Sequence, residues 1–176
     1  MFISKPSIHR YSLLDAGQLT KLFRSGGVFT ENGDDFADVG KLAAFVENTL
    51  RADYIHILGK DPRYEAFVYI PMHTTSCFAA HFVIKEGHRG KDAVKHLVES
   101  AQWLFRNTTC RAIMGFIRES NRAACRLAGH VGMKRIGKTH GTLKFHGEMV
   151  DEVIYQCTVE DFNEKYGHVL GPVIAG

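Results

Sequence analysis

The stretch from Cys77 to Gly137 constrains this chain more than any other. It reads CFAAHFVIKEGHRGKDAVKHLVESAQWLFRNTTCRAIMGFIRESNRAACRLAGHVGMKRIG. A strand-like run, Cys77 to Ile84, drops into a short basic loop, Lys85 to Lys91, and a helix starts at once. Ala93, Val94, Leu97, Val98, Ala101, Leu104 and Phe105 recur at i, i+3, i+4 spacing, which predicts one long amphipathic helix with its apolar stripe on a core. A second strand, Cys110 to Ile117, leads into an Asn-led helix, Asn121 to Val131, closed by Gly132. An anion at the first loop–helix junction would meet unpaired N–H groups and the positive end of the helix dipole. Glycines let backbone approach a ligand, and Lys85, His88, Arg89 and Lys91 surround the junction. Taken alone, the same loop also reads as an ordinary basic strand-to-helix connection.

The flanking segments complete the pattern. Residues 7–12 read as a first strand, and Leu13 to Phe23 has helical spacing that Ser25-Gly26-Gly27 breaks. Glu31 to Asp35 is a polar loop, and Phe36 to Leu50 reads as a second helix. Period two follows in Tyr54–Leu58, Tyr64–Ile70 and Cys77–Ile84, an antiparallel meander with turn signals at Gly59-Lys60-Asp61-Pro62 and Pro71. Arg135–Phe145 and Met149–Val159 read as two late strands joined around His146-Gly147, with a turn of helix at Asp161–Tyr166 and a loosely held tail, LGPVIAG. The order βααβββαβαββ predicts one α+β domain over residues 1–176.

Composition narrows the function classes. The chain has 176 residues, enough for one substantial core, and a formal charge of +3. That excess suits an anionic ligand but is too dispersed to argue for nucleic acid. No apolar run approaches the roughly 20 residues of a membrane span, and the N-terminus lacks a signal-peptide core. Cys77, Cys110, Cys125 and Cys157 lie far apart in apolar segments, without metal-type pairing; they read as reduced, buried thiols of a cytoplasmic protein. No metal site is expected.

The sequence from strand through Arg89-Gly90-Lys91, helix, strand, Asn121-x-x-Ala124 and Gly132-Met133 to two late strands resembles the GNAT superfamily of acyl-CoA-dependent N-acetyltransferases. The likeness covers roughly residues 50–159. Within the superfamily, Gly137 and the two-strand ending are similar to the branch that acetylates ribosomal proteins and protein N-termini, and Trp103-Leu104-Phe105 is similar to bacteriophage members. The resemblance implies a three-layer fold: a central mixed, mostly antiparallel sheet of about seven strands flanked by about four helices. It implies acetyl-CoA as co-substrate, with the pyrophosphate on main-chain amides of the pattern Gln/Arg-x-x-Gly-x-Gly/Ala. The matching positions are Arg89, Gly90, Lys91, Asp92, Ala93 and Val94. Asp92 and Val94 stand where the family has Gly and Gly/Ala; Asp92 brings a negative charge and Val94 brings bulk. Asn121 and Ala124 match positions that contact the pantetheine arm, although Ser120 or Asn121 would equally serve as an N-cap.

For the chemistry, the resemblance implies direct attack of a primary amine on the thioester, with a backbone N–H of Phe82, Val83 or Ile84 polarising the carbonyl. The family's usual Tyr, which protonates the departing thiolate, falls at Ala128; Cys125 and His130 are the nearby alternatives. Candidate bases are His81, mid-strand beside the expected acyl site, then Glu119, then His73. His81 also reads as a buried core histidine. Two functions fit: an N-acetyltransferase acting on a protein or small-molecule amine, or a GNAT-like domain without turnover that serves a virion or regulatory assembly. A homodimer is compatible with either. The acceptor would be set by the first two helices, residues 24–38 and the late hairpin, where Glu31, Asp34 and Asp35 suit a cationic amine.

Overall fold

The computed structural model describes residues 7–26 and 39–174. Its spine is a seven-stranded sheet in the order β1-β2-β3-β4-β5-β9-β6. These strands are β1 (His9–Arg10), β2 (His56–Gly59), β3 (Glu65–Pro71), β4 (Cys77–Ile84), β5 (Ala112–Arg118), β6 (Lys134–Lys138) and β9 (Glu152–Thr158). Every pairing is antiparallel except β4 with β5. A separate hairpin, β7 (Leu143–Phe145) and β8 (Glu148–Val150), stands off the sheet. The helices are α1 (Ala16–Gly26), α2 (Val39–Arg51), α3 (Lys91–Asn107), α4 (Arg122–His130) and α5 (Val159–Leu170). The mixed, mostly antiparallel α+β architecture expected from the sequence is therefore present.

Strand alternation divides the interior into two cores. Leu58, Phe67, Tyr69, Phe78, Ile113 and Cys157 pack with Leu97, Val98, Leu104, Phe105 and Phe162 of α3 and α5. Ile57, Ala66, Val68 and Val83 pack with Leu19, Leu22, Phe23, Leu42 and Val46 of α1 and α2. β3 is apolar at consecutive positions because both of its faces are covered. Trp103 packs against the first core, as a core reading of that residue requires.

Four expectations change. The two long late strands break up: β6 pairs β9 with a register shift between Arg135 and Gly137, and the intervening chain forms the β7–β8 hairpin. Its turn has φ 49° at His146 and 87° at Gly147, two successive left-handed residues, which suits a tight hairpin. The single turn at Asp161–Tyr166 is a twelve-residue fifth helix, started by a Thr158–Asp161 capping box that was not read from the sequence. The tail is held as far as it is described. Asn163 Nδ2 donates to the Val173 carbonyl (2.9 Å) and the Val173 N–H donates to Asn163 Oδ1 (2.7 Å), with Val173 buried. All four thiols are free, but Cys77 and Cys125 are half-buried rather than buried. The polar loop Glu31–Asp35, the start expected for the second helix and most of segment 24–38 lie outside the described residues. Among those described, no helix is long and apolar enough to cross a membrane.

Asn163→Ala removes both partners of the Val173 backbone. It is expected to lower unfolding free energy by about 1–3 kcal/mol in urea titration, the cost of leaving such groups unsatisfied.

Candidate functional site

The cleft exists because β4 and β5 stay together for only three positions: Cys77–Ala112, Phe78–Ile113 and Ala79–Met114. Beyond Ala79 the strands part, while each keeps its outer neighbour: β3 for β4, and β9 for β5. A cavity of about 260 Å³ opens in the gap. Residues from both faces of the sheet line it. Ala80, Phe82 and Gly115 meet α3 and α4 on one side; His81, Phe116, Arg118 and Glu152 meet it from the other. Two reactants can thus enter from opposite faces and meet between the strands.

The β4 backbone supplies donors at that meeting point. The Lys85 N–H bonds the Tyr64 carbonyl (2.8 Å) and the Met72 N–H bonds the Cys77 carbonyl (2.9 Å), fixing which ladder positions are hydrogen-bonded. By antiparallel alternation, the N–H groups of His81 and Val83 go to β3, and those of Ala80, Phe82 and Ile84 turn toward β5. Past Ala79 they face the gap. Of the three residues Phe82, Val83 and Ile84, Val83 is turned the other way: its side chain lies in the α1–α2 core and its N–H is committed to β3.

Below the gap lies the start of α3. Lys85 to His88 make a turn closed by the His88 N–H to the Lys85 carbonyl (3.0 Å), with Gly87 at φ 83°. The His88 ring stacks on Tyr64 with centroids 4.0 Å apart and Lys85 Nζ sits 5.5 Å from the same ring, an anchor the sequence did not reveal. Arg89 Nε donates to the Ile84 carbonyl (3.3 Å). α3 then begins with Gly90 as N-cap, and no side chain at the cap accepts from its first-turn N–H groups. Lys85 to Asp92 are all exposed. The Val94 side chain packs against the first core rather than over the cradle, and Ala93 is buried, offering only its backbone. Glu65, buried at the start of β3, accepts from the Lys60 N–H (3.1 Å) and lies 2.8 Å from His96 Nδ1, tying α3 to the sheet beside this loop.

The remaining candidates separate. Asn121 caps α4, its Oδ1 accepting the Ala124 N–H (3.1 Å), which leaves Nδ2 to donate into the cavity it lines. Ala124 and Ala128 line the same wall. His81 is not a core residue: it is exposed at the cavity, yet enclosed enough by protein that desolvation draws its imidazole below the ordinary histidine range. Glu152, also lining the cavity, opposes that shift by its charge, and accepts a hydrogen bond from Thr142 Oγ1 (3.1 Å). Glu119 does not line the cavity. It is half-exposed and engaged by Lys138 Nζ (2.7 Å), which also holds Asp151 (2.9 Å). His73 is exposed beyond the opposite end of β4. Cys125 and His130 do not line the cavity either, and Tyr155 engages Cys125. Glu152 was missed because nothing local distinguishes it; cross-strand pairing with Arg118 puts it there.

The sign of the His81 shift can be read directly. In an NMR titration its midpoint is expected below about 6.5, the ordinary value. Glu152→Gln removes the charge that stabilises the imidazolium and is expected to lower the midpoint further.

No family model matches the sequence, and no curated protein matches it. Solved structures do. Ribosomal-protein-S5-alanine acetyltransferase from Vibrio fischeri superposes with a TM-score of 0.72 at 10% identity, covering 90% of this chain and 95% of that one. RimJ from Mycobacterium smegmatis, solved in complex with CoA-disulfide, gives 0.71 at 13% identity over 88% and 82%. Spermidine N-acetyltransferase from Vibrio cholerae, in complex with CoA and spermine, gives 0.74 at 12% identity over 90% and 98%. At these identities the likeness is one of architecture, and on it the chain has the fold of the GNAT acetyltransferases.

Proposed function

We propose that residues 1–176 form a single acyl-CoA-dependent N-acyltransferase domain that moves an acyl group, acetyl or longer, onto a primary amine of a protein or small molecule. One observation carries the reading: the β4–β5 gap, with donors along one edge, ends at an uncapped helix start ringed by exposed basic residues. The residues fit CoA. First-turn N–H groups of Lys91, Asp92 and Ala93 take the pyrophosphate, with Arg89, Gly90 and Lys85 around it. Val94 helps seat that turn from the core. Asn121 Nδ2 and the Ala124 methyl meet the pantetheine arm, and exposed Asp92 leaves its carboxylate to solvent.

In the reaction, the amine nitrogen attacks the thioester carbonyl carbon, a C–N bond replaces the C–S bond, and the thiol of CoA leaves. The N–H of Phe82, the one of the three candidates that lines the cavity, faces the carbonyl oxygen as its charge grows. His81, neutral near pH 7, takes the proton that the amine gives up and passes it to water, with Glu152 stabilising the imidazolium. Glu119 supports the mouth through Lys138 instead of acting as base. Water at the open cleft returns a proton to the leaving thiolate.

A second reading is a CoA-binding domain without turnover. Ala128 favours it, because a methyl group occupies the wall where a proton donor would stand. Calorimetric titration with CoA and acetyl-CoA, followed by thiol release with a panel of primary amines, separates the two. Micromolar binding, about −8 kcal/mol, with thiol release supports transfer. Binding without release under any amine supports the second reading, and no binding at millimolar ligand sinks both.

Two variants sharpen the test. A Cβ at Gly90 meets open space, so Gly90→Asp is accommodated. Its carboxylate would cap α3 and raise stability by about a few tenths of a kcal/mol. It would also occupy the cradle with negative charge and weaken CoA about tenfold or more, since one hydrogen bond to a charged group contributes about 1.5–3 kcal/mol. His81→Ala is expected to lower turnover and remove the acid-limb ionisation from the pH–rate profile while CoA affinity holds; an unchanged profile would remove His81 from the reaction.

A further inference from the structure

We infer that the acyl group carried by the thioester is a medium-length aliphatic chain rather than acetyl. This rests on the reading of the gap as an acyl-CoA site and names the substrate class of that site. The cavity does not end where the strands part. It continues behind the closed end of the gap into the α3–α5 core, where its walls are Leu97, Val98, Ala101, Ile113, Val131 and Phe162. Ile113 is paired with Phe78, behind the point of separation, so this inner wall lies past the place where the reacting carbonyl meets the Phe82 N–H.

The chemistry of the inner wall selects its occupant. No charged side chain reaches it. The Tyr69 hydroxyl is 2.6 Å from Ser100 Oγ, which donates to the Leu97 carbonyl (2.7 Å), so both hydroxyls are satisfied within the core. Burial pushes the Cys157 thiol up to about 12, leaving it a neutral, apolar surface. The charged groups His81, Arg118 and Glu152 lie across the sheet on the amine side. An apolar guest therefore finds nothing inside that needs water, and a polar one finds nothing to bond.

The size argues the same way. Protein interiors are packed with few voids larger than a water molecule. The cavity as a whole, amine side and gap included, is about 260 Å³, against about 150 Å³ for an apolar cavity that takes a benzene. Small residues on three elements, Ala80, Ala101, Ala124 and Ala128, hold it open where larger apolar side chains would close it. An acetyl group ends at the gap, short of the inner wall at Ile113 and Phe162. A chain of several methylenes reaches that wall, and transfer still exchanges one C–S bond for one C–N bond with release of CoA thiol.

Calorimetric titration of the intact protein with CoA, acetyl-CoA, butyryl-CoA, hexanoyl-CoA and octanoyl-CoA tests this without an acceptor. Affinity is expected to rise about fourfold per added methylene, the transfer of one CH₂ out of water, until the cavity is full. Ala101→Leu, which fills the inner end, is expected to flatten that rise while free CoA binds as before. The cofactor-loaded thermal shift across the same series gives a second readout should Ala101→Leu fold poorly. Free CoA binding with equal or weaker affinity for the longer chains would overturn the inference and leave the acyl-CoA site standing. Failure of every CoA species to bind would overturn the site itself.

Discussion

The arrangement depends on a sheet that is held on both sides of a seam but not along it. β4 is anchored to β3 over seven positions and β5 to β9 over seven, while β4 and β5 share three. Hydrogen bonds that would ordinarily zip the two strands are absent past Ala79, and the N–H groups of β4 that would have made them face a cavity. Parallel pairing makes this possible, because the connection between the strands must be a crossover, here α3, which can brace them apart. The loop that starts α3 then falls at the open end of the seam. Separation of strands, exposed donors and an uncapped helix start are three results of one topological choice.

Charge is sorted along the same lines. Lys138 bridges Glu119 and Asp151 at the surface beside the cleft, and its two carboxylate partners raise its own affinity for protons. Asp151 is drawn down to about 2 by Lys138 and the Gly141 N–H. That network leaves Glu152 as the carboxylate in the cavity itself. The guanidinium of Arg118 lies 3.4 Å from the centroid of the Phe145 ring, which ties the β7–β8 hairpin to the cleft wall. The hairpin also contributes Leu143 to the lining, so a segment outside the central sheet shapes the amine side.

Much of this was legible in the sequence. Period-two and i, i+3, i+4 patterns located the strands and helices, because each strand buries one or both faces and each helix one stripe. The loop at Lys85–Lys91 and the cap at Asn121 were readable because they are local. What sequence reading could not see was cross-strand. Glu119 and Glu152 are both acidic residues near strand ends, and which of them meets His81 depends on β5–β9 register and on where Lys138 lands. Val83 sits between two cleft residues in sequence yet belongs to the opposite core, since adjacent strand positions face opposite ways. The tail failed for another reason: LGPVIAG reads as loosely held because it is a chain end, and a single Asn163 ten residues upstream of Val173 supplies both bonds that hold that residue.

The outer edge of the sheet has a consequence of its own. β6 carries its neighbour β9 on one side and no strand of the described residues on the other, and Ile136 is exposed on it. An open strand of this kind is a template for pairing with another chain. Charged side chains, Lys134, Arg135 and Lys138, take three of its five positions, each beside a carboxylate, and the register shift between Arg135 and Gly137 bends the strand away from flatness. The opposite edge, β1, is two residues long. Both rims of the sheet thus resist lengthening by a stranger's backbone, one through hydrated charge and curvature, the other through brevity.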